Sequence, residues 1–174
     1  MREIKFRGKC LDNGEWAVGD LLHRNDGSVT IITNLNVWMD NNDEVDAYGE
    51  EFEVAPDTVG QYTGLKDRNG EDVYEGSIIK YYHNAIRVTN PYCDKSMYDS
   101  YVREYIDVVE YAGSGFVVGD TPLCYAGFDS METIYDVLGL DEHEKTDCKG
   151  TVINESLIGI EIIGNIHDHK HFLK

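Results

Sequence analysis

The sequence predicts a mainly β protein, a β-rich α+β chain of two packed barrel-like β subdomains with one or two short helices. Three observations point there. Seventeen glycines against three prolines punctuate 174 residues at short intervals, which favours many short strands over a few long helices. Apolar residues recur with a period of two in several short runs, the mark of half-buried strands. The apolar share of 41%, with twelve tyrosines and two tryptophans, is enough for a folded core and argues against disorder. A chain of this length holds one full core or two small subdomains.

Residues 1–57 read as a β meander with an acidic excursion. Ile4, Phe6 and Gly8 alternate with Lys5, Arg7 and Lys9 as a first strand. Asp12-Asn13-Gly14 is a turn, Trp16 to Leu22 the returning strand, Asn25-Asp26-Gly27 a further turn and Val29 to Thr33 the third strand. Residues Asn34 to Glu51 are polar and acidic and are expected to be exposed.

Residues 58–174 read as an SH3-like, barrel-like half. Asn69-Gly70 predicts a two-residue type I′ hairpin turn, because both central residues then need positive φ. Gly60, Gly64, Gly70 and Gly76 fall where a tight barrel bends or turns. Ser77 to Tyr82 is the next apolar strand. In the insertion 84–105, Met97, Tyr98, Tyr101, Val102 and Tyr105 form a stripe at helical spacing soon after Pro91, which predicts a short helix. Ile106 to Tyr111 and Phe116 to Val118 flank Gly113-Ser114-Gly115 as a second hairpin. Asp129 to Glu132 resembles a capping box ahead of a helix over 130–138, closed by Gly139. Leu157 to Ile166 is apolar on both faces and is expected inside a sheet or against another chain.

Several of these runs resemble the YopX family of bacteriophage and prophage proteins. Thr58-Val-Gly-Gln-Tyr-Thr-Gly-Leu65, Asn69-Gly70 and Tyr74-Glu-Gly76 are similar to the family's "TVGQYTGL-D-NG-YEGD-I" run. Phe6 to Lys9 resembles its "I-FRGK" opening, Trp16 and Gly19 its "W-GL", and Glu161 to Ile166 its "E-IGNI" close. Residues Asn84 to Tyr105 and Asp141 to Gly150 stand outside the resemblance. Where relatives commonly carry aspartate, this chain has Ser77; either side chain bonds backbone amides at a turn. The resemblance implies a phage or prophage origin and a tendency to form homo-oligomers, and it supplies no reaction.

The formal net charge is −18. No Lys or Arg lies between Arg24 and Lys66, where Asp26, Asp40, Asp43, Glu44, Asp46, Glu50, Glu51, Glu53 and Asp57 fall. A second base-free stretch from Glu104 to Glu144 holds ten carboxylates. Direct binding to a nucleic-acid backbone and docking on anionic membranes are both opposed. The remaining readings are solubility and a docking surface for a basic partner. No run approaches a membrane span, and Cys10, Cys93, Cys124 and Cys148 form no CxxC pair, so a cytoplasmic protein with reduced thiols is expected.

His167, His169 and His171 would face one way in an extended tail, a set able to hold a divalent ion; the expectation is incidental affinity rather than a native metal site. Asp40, Asn42, Glu44, Asp46 and Glu51 fall near calcium-loop positions, but Val45 stands where the sharp turn needs glycine. Ser114 lies in Gly-Ser-Gly, too short for a nucleophile elbow. Asp72 and Glu75 beside Tyr74 read as solvated. No catalytic, cofactor or metal residue is therefore assigned. The expected function is a non-enzymatic accessory protein that binds itself and a host or phage protein. The alternatives are an acidic DNA mimic against a host nucleic-acid-binding protein and, third, an enzyme.

Overall fold

The computed structural model describes residues 3–39, 44–88, 98–141, 143, 145–147 and 149–173. The chain divides into two compact units, residues 1–65 with 72–76 and residues 66–71 with 77–174. The expected division at 57/58 therefore runs through the first unit. Strand dominates, in two antiparallel sheets. Among the described residues neither sheet closes on itself, so the barrel-like expectation gives way to open sheets.

The first unit's sheet has the order β4-β3-β2-β1-β5-β6. Its strands are β1 (Phe6–Lys9), β2 (Trp16–His23), β3 (Val29–Met39), β4 (Val45–Val54), β5 (Gly60–Lys66) and β6 (Asp72–Tyr74). β2 serves two partners. Trp16 to Gly19 pair with β1, and Asp20 to His23 pair with β3. Ala17, Val29, Ile31 and Val54 are buried with Cys10, flanked by Phe6, Leu21 and Phe52. Of the alternating set expected in the first strand, Phe6 reaches this core, whereas Ile4 precedes β1 and is exposed.

The second sheet runs β10-β9-β8-β7-β11, from β7 (Ser77–Val88), β8 (Tyr98–Tyr111), β9 (Phe116–Val118), β10 (Thr121–Pro122) and β11 (Ile160–Asn165). The helix expected around Tyr98 to Tyr105 is instead strand β8, paired residue for residue with β7 from Val88↔Tyr98 to Ile78↔Val108. Tyrosine and valine suit a pleated surface, and a spacing of four satisfies the period of a strand as well as that of a helix. Met97, the first residue of that stripe, lies outside the described residues.

The helix α1 (Met131–Leu138) forms where expected. Its N-cap is Ser130 rather than Asp129: the Ser130 hydroxyl accepts from the Thr133 amide at 3.1 Å, and Gly139 closes the helix in the left-handed region. Its buried face joins Val102, Phe128, Ile134, Ile153 and Leu157 in the second unit's core.

The Asn69-Gly70 hairpin is present with a different turn. Asp67 N–H bonds the Glu71 carbonyl at 2.8 Å and Gly70 N–H bonds the Asp67 carbonyl at 3.0 Å. Only Gly70 has positive φ, +86°, giving a type I turn with a bulge glycine in place of type I′. The reason is Asp67, whose Oδ1 accepts from the amides of Asn69 (2.8 Å) and Glu71 (2.9 Å) and holds Asn69 at negative φ. A Cβ at Gly70 would meet nothing within 4 Å, so Gly70→Val carries only the backbone penalty. Its expected cost is about 1 kcal/mol or more, read by urea denaturation.

The same device recurs at Asp147. Its Oδ1 accepts from Lys149 (2.8 Å) and Thr151 (2.9 Å), and Gly150 N–H bonds the Asp147 carbonyl. In both copies the second oxygen reaches a distant strand amide, Asp67 Oδ2 that of Ile162 at 3.2 Å and Asp147 Oδ2 that of Val102 at 2.8 Å. Burial acts to raise each carboxyl, but the three amides outweigh it and hold both below the usual carboxylate range. The Asp67 turn also covers the outer edge of β11, where Arg68 N–H bonds the Ile160 carbonyl at 3.0 Å. β11, expected inside a sheet or against another chain, is thus an edge strand capped by a turn of its own unit.

Candidate protein-binding surface

None of the eleven residues of β3 is charged. Val29, Thr30 and Ile31 are buried, whereas Leu35 to Met39 are exposed. The change comes at Asn34, the one non-glycine with positive φ (53°) among the described residues. Asparagine tolerates that region. The β3–β4 register slips between Thr33 and Asn36, a bulge that bends and twists the pair. Beyond it the ladder continues as Asn36↔Tyr48, Val37↔Ala47, Trp38↔Asp46 and Met39↔Val45. β2 pairs with β3 only from Val29 to Ile32, so the outer part is a two-stranded ribbon.

Alternation divides the ribbon into two faces. Val37, Met39, Val45 and Ala47 share one, with Val37, Met39 and Val45 exposed by 60%, 63% and 67%. Trp38 (47%) and Tyr48 (64%) share the other with Asn36 and Asp46. Scattered exposed apolar side chains are ordinary; a contiguous set on a ribbon that is marginal by itself in water is the sign of a contact surface.

Two depressions lie at the ribbon's base. One, of about 260 Å³, is lined in part by Glu15, Trp16, Thr33 and Glu50. The Thr33 hydroxyl there is buried and makes no hydrogen bond to any described residue. The other, of about 250 Å³, is lined by Leu11, Asp12, Glu51, Phe52 and Glu53. Among the described residues no Lys or Arg lines either, although Arg24 reaches Glu51 as an ion pair. The surface is thus an apolar ribbon rooted between acidic hollows.

Residues singled out from sequence are dispersed. Glu44, Asp46 and Glu51 lie on or beside the ribbon in extended chain rather than around a cation loop, and Asp40 and Asn42 lie outside the described residues. Ser114 sits in the β8–β9 turn, its amide on the Ala112 carbonyl. Asp72, expected to be solvated, pairs with Lys5 at 2.7 Å. Ser77 is buried at the start of β7, opposite Asn165. The histidine tail is not extended: Asn165 Oδ1 gathers the amides of His167 and Asp168, His169 Nδ1 accepts from the Asn165 amide at 3.4 Å, and 170–172 form a 3-10 turn. Among the described residues no three His, Cys, Asp or Glu side chains are grouped to hold a metal. Of the four cysteines, Cys10 is buried and Cys124 exposed, both free, and Cys93 and Cys148 lie outside the described residues.

Comparison with known proteins places this arrangement. The family profile described as "YopX protein" matches residues 5–174, nearly the whole chain. The chain belongs to the YopX family. Among solved structures, the crystal structure of protein EF1440 from Enterococcus faecalis is similar at 20% identity, covering 100% of both chains with a TM-score of 0.53. At that identity the likeness concerns the fold. No curated protein matches. In this YopX-family chain no described helix is long and apolar enough to cross a membrane.

Sequence reading treated Asn34 to Glu51 as a polar excursion and missed Val37, Trp38, Met39, Val45 and Tyr48 as a surface. The signal was there, in the alternation of Leu35, Val37 and Met39 answered by Val45 and Ala47.

Proposed function

We propose that this YopX-family chain is a non-enzymatic accessory protein of a phage or prophage, acting in the host cytoplasm by binding other proteins. One observation carries the reading: an exposed two-stranded ribbon with a wholly apolar face, on a chain whose remaining surface is strongly acidic. Family membership supports the phage origin. A DNA mimic fits less well, since it needs spaced rows of carboxylates, whereas one described face of this ribbon carries Val37, Met39, Val45 and Ala47.

The test is paired affinity capture from host cells, with the natural chain and with Val37→Asp/Val45→Asp, exposed sites where the fold tolerates a charge. A defined partner held by the first and lost from the second is expected, with unchanged circular dichroism. Identical captured sets would refute the reading. Self-association, which the family resemblance implies, is a separate proposal and does not rest on the ribbon. Sedimentation at micromolar concentration is expected to give a species heavier than the 19.7 kDa chain, and a monomer at every dilution would remove it.

A further inference from the structure

We infer that the partner of the ribbon is a basic, apolar segment of another protein that adds as an extra strand along the free edge of β4. The inference rests on the protein-binding reading above and names the chemistry of the partner.

β4 ends its sheet, and among the described strands it pairs with β3 only. Its far end is covered, because Leu11 N–H bonds the Glu53 carbonyl at 3.0 Å and Cys10 bridges Val54. From Val45 to Phe52 no strand among the described residues lies on the outer side. An edge strand offers unpaired amides and carbonyls, and an extended peptide satisfies them while its alternate side chains face the strand's own two faces. Here those faces differ. A strand beside β4 would meet Val45 and Ala47 on one side and Asp46, Tyr48 and Glu50 on the other. The matching pattern is alternating apolar and basic residues, since opposite charges across neighbouring strands stabilise and like charges oppose.

The hollows at the ribbon's base extend the match. Glu15 and Glu50 with the Thr33 hydroxyl line one, and Asp12, Glu51 and Glu53 line the other. Among the described residues neither lining holds a lysine or arginine. Although Arg24 already pairs with Glu51, Glu15 and Glu50 in one hollow and Asp12 and Glu53 in the other offer acceptors to a basic head, with Trp16 or Phe52 beside the stem. A second copy of this chain is the poorer occupant, because edge-to-edge pairing of two β4 strands sets the carboxylates at positions 46, 50, 51 and 53 against their own kind.

The test uses the full chain and a short synthetic peptide of alternating valine and lysine, with alternating valine and glutamate as control. Titration is followed by amide hydrogen exchange and by tryptophan fluorescence, read for Trp38, which is partly exposed, as the difference from Trp38→Phe, since Trp16 also emits. Slowed exchange confined to residues 45–52, a Trp38 blue shift and no response to the acidic peptide are expected. Binding should weaken about tenfold or more at high salt or in Asp46→Lys/Glu50→Lys. It should persist in Glu132→Lys/Asp136→Lys, which removes the same charge from the helix. Equal loss in both double variants would mean general attraction to an acidic protein and would overturn the inference. Protection elsewhere, or none, would overturn it too. Such a failure alongside ribbon-dependent capture from cells would leave the protein-binding reading standing with a partner of other chemistry.

Discussion

Asp147→Ala should cost this protein about 3 kcal/mol, because the substitution strands backbone donors rather than removing one contact. Three amides converge on that carboxylate, from Val102, Lys149 and Thr151, and its residue is only 6% exposed. Asp67→Ala should cost a similar amount through Asn69, Glu71 and Ile162, again at 6% exposure. Asparagine rescues neither in full. One amide oxygen can serve the local turn, but the NH2 then faces the strand amide, donor against donor. Both carboxyls lie below their ordinary value in the folded chain, so the unfolded chain takes up protons first. Their contribution is therefore complete above the ordinary carboxylate pKa of about 4 and is lost as pH falls through the folded value. Urea denaturation across an acid series should show the natural chain losing stability over that window and the double alanine variant losing less. Equal acid sensitivity in both would refute the assignment.

These two turns mark what was legible in the sequence. Turn positions were: Asp12-Asn13-Gly14, Asn25-Asp26-Gly27, Asn69-Gly70 and Gly113 to Gly115 all fall between paired strands. The turn type at Asn69 was not, because it depends on where the Asp67 carboxylate points, and Asp67 also serves β11 from 95 residues away. Nothing near Asp147 in sequence announces Val102 as its partner. Helix α1 was legible because its cap, period and stop are all local. The stripe through Tyr101 and Tyr105 was ambiguous by geometry: four residues is close to one helical turn and is also two strand repeats, and only pairing with β7 decides.

The candidate surface was hidden for another reason. The carboxylates of β4 dominate the composition of Asn34 to Glu51, while the apolar alternation is split across two strands and a turn. Composition is summed along the chain; a binding face is assembled across it. The acidic excess reads in the sequence as opposing phosphate and membrane partners, and the structure adds that Glu15, Glu50, Glu51 and Glu53 line hollows at the base of a ribbon with an apolar face.

Gly19→Ala should be the most damaging small substitution in the first unit, at about 4 kcal/mol or more. A Cβ there would stand 2.1 Å from the Ile32 carbonyl oxygen, 2.8 Å from its carbon and 3.2 Å from Thr33 Cα. All three are backbone atoms of β3, so no rotamer change relieves the clash; β2 and β3 must separate. The position is the pivot at which β2 leaves β1 and takes up β3, with Phe6↔Gly19 on one side and Asp20↔Ile32 on the other. A family resemblance singled out Gly19, and close approach is its physical reason. Gly27→Ala is the control: it sits at φ +89° with nothing within 4 Å, so only the backbone penalty of about 1 kcal/mol applies. Denaturation midpoints should separate the two clearly, and equal midpoints would mean that β2 and β3 do not approach as described. The consequence reaches the ribbon as well. β3 enters it four residues past Ile31, held in register by the ladder that Gly19 permits, so Gly19→Ala should abolish peptide-dependent protection of residues 45–52 while Gly27→Ala preserves it.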